Sequence, residues 1–191
     1  MSSPIFDHAV LLDVGDASTR LFPGLTPVFL GNSATGPKLD GSKWLADGQP
    51  SPTDAITTEL RKEGFSHLIV AIKVRAPARL RVSDGAVGSG YLEGLGFYID
   101  REYEVTDLDR NITSMGFIAP YAYIRLVLID VQTQKVIAQQ RIQVSRVKPT
   151  AKSQDGFDPW DSLGAEEKVV LMKVLLNTGI SDAIPLLFRP K

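Results

Sequence analysis

Lys73, Arg75, Arg79 and Arg81 fall at one parity of an extended segment, and no acidic residue stands between Gly64 and Ser83. Alternate residues of a strand share a face, so on an uninterrupted strand all four cations would project to one side. Such a stripe suits a phosphate, a polyanionic glycan or nucleic acid. The plainer reading, which we favour, is a solvated outer face whose charges pair across strands with Asp100, Glu102 and Glu104. Pro77 interrupts the segment and can shift its parity.

The next segment, Gly85 to Gly96, holds glycines at 85, 88, 90, 94 and 96. Glycines let backbone N–H groups approach an anion closely. A Walker A loop would need a Gly-Lys-Ser/Thr ending, and a dinucleotide fingerprint would need glycine where Glu93 stands. A mobile strand connection is therefore the expectation, able to close over a partner, with Gly88, Gly90, Tyr91 and Tyr98 as candidate binding residues.

Catalytic groups are scarce. His8, Asp13 and Asp16 form a loose grouping that would suit a metal-dependent phosphoesterase, but only His8 and His67 supply imidazole and such sites usually draw on more ligands. No Gly-x-Ser-x-Gly elbow is present. Cysteine is absent, which removes thiolate nucleophiles, thiolate-bound zinc and disulfides. We therefore assign no catalytic residue, no metal ligand and no cofactor.

Tyr91, Phe97, Tyr98, Tyr103, Phe117, Tyr121 and Tyr123 concentrate in the middle third. Their ordinary role is strand packing, and the alternative is a sticky face that receives a peptide strand or a glycan. Trp44 and Trp160 sit in loop-like stretches, where a ring can lock the loop onto the core.

The elements that must position these residues follow from periodicity and caps. Ser3-Pro4 starts a helix over 4–14, closed by Gly15, and Pro27 to Leu30 reads as a short buried strand. A capping signal at Ser51 to Asp54 opens a helix over 52–63, stopped by Gly64. Strands are expected over 67–82 and 97–105. A hairpin spans Tyr121 to Val147 through the turn Asp130 to Lys135, with Val136, Ala138, Ile142 and Val144 alternating against Gln139, Arg141, Gln143 and Ser145. That alternation means one buried and one wet face. A helix over 165–178 and a second apolar helical segment over 180–188 close the chain, separated by Gly179. Residues 32–51 and 148–162 read as loops.

The 191 residues fit a single α+β domain over 1–191, with an antiparallel sheet of about four or five strands and helices packed mainly on one face. Twenty-one Lys and Arg offset 22 Asp and Glu, so no global field draws the protein to nucleic acid or to anionic lipid. The apolar run Val169 to Leu176 falls short of the roughly 20 residues that span a bilayer, so no transmembrane segment is expected. The start shows no secretory signal, although a polar start leading directly into a periodic segment reads as a trimmed boundary.

Three stretches carry a resemblance: Gly94-Leu95-Gly96-Phe97-Tyr98, then Ala119-Pro120-Tyr121-Ala122-Tyr123 running into Leu126-Val127-Leu128-Ile129-Asp130, and Lys135-Val136-Ile137-Ala138. Together they look like uncharacterised proteobacterial proteins, often exported, over about the last hundred residues. More distantly, the element order is similar to envelope lipoproteins that contact partners through small α+β domains. The resemblance implies a location in the periplasm or cell envelope if a signal has been removed, and the cytoplasm otherwise. It supplies no functional residues.

The expectation is a non-catalytic binding or interaction module of the cell envelope, engaging a protein partner or an envelope polymer through the basic stripe and the glycine loop. The alternatives are a hydrolase of phosphoesters or esters and a structural subunit of an envelope assembly.

Overall fold

The computed structural model describes residues 4–30, 45–46, 49–50, 54–82, 85–107, 112–149 and 158–189. Its helices are α1 (Pro4–Leu21), α2 (Asp54–Lys62) and α3 (Ala165–Leu187), with a short 3-10 turn at Pro159–Ser162. The strands are β1 (Leu45–Ala46), β2 (Gln49–Pro50), β3 (His67–Lys73), β4 (Arg75–Pro77), β5 (Leu80–Val82), β6 (Gly85–Val87), β7 (Tyr91–Asp107), β8 (Ile112–Asp130), β9 (Val136–Ser145) and β10 (Lys148–Pro149).

β8 is the spine of an antiparallel sheet. β7 pairs with its first half and β3 with its second, while β9 and β10 pair with it as well, and β4 joins through β7. The fold is α+β, with α1 and α3 packed together on one sheet face. Ala122, Ile124, Leu126 and Leu128 of β8 and Ile142 of β9 meet Val10, Val14 and Ala17 of α1 and Met172, Leu176, Ile180 and Ile184 of α3. Each fully buried Leu or Ile contributes about 1.5–3 kcal/mol relative to exposure, so this layer is the main apolar core. A second cluster on the opposite face joins Phe117, Ala119 and Tyr123 of β8 to Ala78, Leu80, Val87 and Leu92. β8 is thus buried on both faces, whereas β9 keeps its alternation of wet and dry positions. α2 docks beside the β8–β9 turn, where Arg61 donates to the carbonyls of Val131 and Gln132 and Gln134 Nε2 donates to Thr57 Oγ1.

Two glycines read as helix stops lie inside helices. α1 continues past Gly15, against which the Phe29 ring packs, and a Cβ there would come within 2.7 Å of Phe29 Cζ. α3 runs unbroken through Gly179, where a Cβ would come within 2.7 Å of Ile142 Cγ2. Both mark close approach, not termination. Pro27 to Leu30 forms no strand and is largely exposed, with Val28 at 57%. The expected glycine loop contracts to residues 88–90, since β6 takes 85–87 and Gly94 and Gly96 lie within β7. The acidic set does not form one strand face: the β7–β8 register shifts between Asp100 and Glu104, and Asp100 Oδ1 accepts from the amides of Glu102 and Tyr103. Gly116, at φ +81°, permits this bulge, because a Cβ there would lie 2.8 Å from the Asp100 carbonyl oxygen.

The loop expected over 32–51 lies outside the described residues except for β1 and β2, as does Trp44. Within 148–162, β10 and the 3-10 turn are formed, and Trp160 locks that turn down, its ring edge-on to Phe97 at 5.7 Å and under Lys168 Nζ at 3.7 Å. α3 as a whole is long and apolar enough to cross a membrane by length and composition, which the shorter apolar run does not reveal. One such helix does not establish a membrane segment, and its buried side chains are those packed in the main core.

Candidate anion-binding cleft

The segment from His67 to Val82 bends out of the sheet at Val74. Up to Lys73 it pairs with β8, the Val74 amide donates to the Tyr123 carbonyl, Arg75–Pro77 pairs with the start of β7, and Leu80–Val82 pairs with β6. The shared parity of the four cations is broken there. Lys73 stands opposite Ile124 on the face that holds the helices, and its Nζ pairs with Asp7 Oδ1 of α1 at 2.8 Å.

Arg75, Arg79 and Arg81 come together on the other side. They line a cleft of about 630 Å³ with Ala76, Pro77, Tyr123 and the β9 residues Arg141, Gln143 and Ser145. The cleft lies on the sheet face away from the helices, because Tyr123 and Gln143 oppose each other at the parity opposite to Ala122, Ile124 and Ile142. Its framework is held by hydrogen bonds. The Arg79 amide donates to Tyr123 Oη at 3.2 Å, Tyr123 Oη donates to the Pro77 carbonyl at 3.4 Å, and the Arg81 amide donates to Ser145 Oγ at 3.2 Å. Backbone groups thereby fix β4 and β5 over the strand face.

Among the described residues, none of Arg75, Arg79, Arg81 and Arg141 has a carboxylate within ion-pair distance. Asp100, Glu102 and Glu104 do not oppose them; the ladder partner of Arg75 is Glu93. Arg75 lies over the Tyr91 ring at 5.2 Å, a cation–π contact that steadies it without neutralising it. Tyr91 itself is 64% exposed. Burial, with Glu93 and Tyr123 adding to it, raises the pKa of the Tyr121 phenol on the same sheet face.

The remaining candidates have structural roles. Gly88, at φ +108°, sits where a Cβ would lie 3.3 Å from Ala78 Cβ, and the Gly90 carbonyl accepts from the Ala78 amide. Tyr98 stacks on Phe117 and its Oη accepts from the Ser89 amide. These residues brace the turn behind the cleft and do not line it. His8, Asp13 and Asp16 do not gather, and among the described residues no group of three or more His, Cys, Asp or Glu could hold a metal. Asp13 instead accepts from Asn177 of α3 at 3.5 Å, and burial raises its pKa. His67 Nδ1 pairs with the neighbouring Ser66 Oγ at 2.8 Å.

Arg141 is the cleft residue that sequence reasoning missed. The alternation along β9 predicts it on the wet face, and the hairpin register also sets it opposite Arg125. A like-charge pair across a ladder is unfavourable unless a counter-charge is near, and that was the available signal. Comparison with protein-family models, with curated proteins and with solved structures finds no match to this chain.

Proposed function

We propose that this protein is a non-catalytic binding module that holds an anionic partner, an acidic protein segment or an anionic envelope polymer, in the cleft of Arg75, Arg79, Arg81 and Arg141. The observation that carries the reading is the convergence of these four arginines on one cavity, with no carboxylate among the described residues in ion-pair contact with them. Guanidinium is planar, permanently charged and weakly hydrated, so it pairs readily with carboxylate, sulfate or phosphate oxygens. The envelope location rests on the resemblance of the hairpin and its flanks to exported proteins.

The test is fluorescence anisotropy of labelled poly-glutamate and labelled heparin with the wild type and with an Arg79→Glu/Arg81→Glu variant. Saturable binding that weakens with salt, and that the reversal abolishes while the thermal melt stays cooperative, supports the reading. Binding to neither probe, or binding that the reversal leaves unchanged, contradicts it.

A further inference from the structure

A second cavity, of about 370 Å³, opens between α1, β3 and the irregular segment 25–30. Its chemistry is the reverse of the arginine cleft. Leu11, Val14, Leu60, Phe65, Leu68 and Phe188 contribute to its wall, and no Lys, Arg, Asp or Glu among the described residues lines it. The volume falls within the roughly 300–1,000 Å³ usual for small-molecule sites, which are mostly apolar with a few placed polar groups.

One such polar group is present. Ser18 of α1 lines the cavity at 3% exposure, and its Oγ is buried without a hydrogen-bond partner. Its neighbour Thr19 satisfies its own hydroxyl by donating to the Gly15 carbonyl, and at the exposed edge Ser66 and His67 satisfy each other. A buried hydroxyl with no partner is costly, and a ligand oxygen in the cavity would supply the missing partner. The outer wall is the segment 25–30, which has no ladder or helix hydrogen bonds and leaves Val28, Phe29 and Leu30 partly exposed. It is the element most easily displaced to admit a ligand.

We propose that this cavity binds an uncharged, mainly apolar small molecule carrying one hydrogen-bonding oxygen, which engages Ser18. Charge is disfavoured because a carboxylate or ammonium buried here would meet no Lys, Arg, Asp or Glu among the described lining residues, whose one titratable member, His67, is at the exposed edge.

The test uses benzyl alcohol, toluene and benzoate as probes, followed by backbone amide shifts in nuclear magnetic resonance spectra of the wild type and of Ser18→Ala. The expected result is saturable shifts in β3 and residues 25–30, a preference for benzyl alcohol over toluene of about fivefold, as one net hydrogen bond gives, and no matching shifts with benzoate. Ser18→Ala should keep toluene binding and lose the preference. The inference is overturned by tighter binding of benzoate, by shifts mapping to the arginine cleft or to no site, or by a preference that survives in Ser18→Ala. Because benzyl alcohol and toluene are uncharged and the cavity is separate, reversing Arg79 and Arg81 should leave their shifts in place even if the anion reading fails.

Discussion

Arg125 and Arg141 stand directly opposite each other on the β8–β9 ladder, on the sheet face turned away from α1 and α3. Directly opposed like charges cost stability. Arg141 stands beside three further arginines of the cleft, and among the described residues no carboxylate is in ion-pair contact with these four. An anion in the cleft would offset that cost, so stability and binding should trade against each other at this position.

Arg141→Gln should therefore raise Tm at low ionic strength, with the gain shrinking as salt screens the repulsion. The same variant should bind poly-glutamate more weakly than the wild type. Thermal melts across a salt series, paired with anisotropy, check both halves. A Tm that falls at low salt would show that Arg141 is held by a favourable contact instead.

Gly179 and Ile142 set a packing limit between α3 and β9. Ala has the higher helix propensity by about 1 kcal/mol, but a Cβ at 179 would come within 2.7 Å of the buried Ile142 Cγ2. Overpacking typically costs about 1–3 kcal/mol, so Gly179→Ala should be net destabilising in chemical denaturation. Adding Ile142→Ala opens the space, and the double variant should then be more stable than the sum of the two single changes. Additivity would contradict the contact.

Acid sensitivity follows from two turn carboxylates. The Thr133 amide and hydroxyl hold the Asp130 pKa below its ordinary value, and the Trp160 amide, then Arg101, do the same for Asp158. A carboxylate with a lowered folded pKa gives stability that is present above its unfolded pKa and lost as pH falls through the folded one. Tm should thus be flat near neutrality and fall below the usual carboxylate range, and Asp130→Asn should lower Tm at pH 7 more than at pH 3. Equal loss at both pH values would count against the Asp130 contribution.

How far the sequence reveals this fold depends on whether the determining interaction is local. The Asp130 to Lys135 turn and the alternation from Val136 to Val144 are local, and the hairpin they define is the one observed. Gly15 and Gly179 misled because a glycine that ends a helix and one that admits a neighbouring side chain look alike until Phe29 and Ile142 are placed. The basic stripe was legible as charge but not as geometry. Val74 takes its hydrogen bonds from both β8 and β7 at the bend, which sends Lys73 to Asp7 and the three arginines to β9. Arg141 joins them from more than fifty residues away in the chain, a distance over which strand parity says nothing.

The most direct test of the central claim is titration of the side-chain Nε–Hε resonances of the arginines with a short glutamate peptide. The account expects Arg75, Arg79, Arg81 and Arg141 to shift together with one saturation curve, while Arg20 and Arg101, outside the cleft and already bonded to Ser181 and Asp158, stay in place. Shifts of equal size on all arginines, or none in the cleft at saturating peptide, would contradict it.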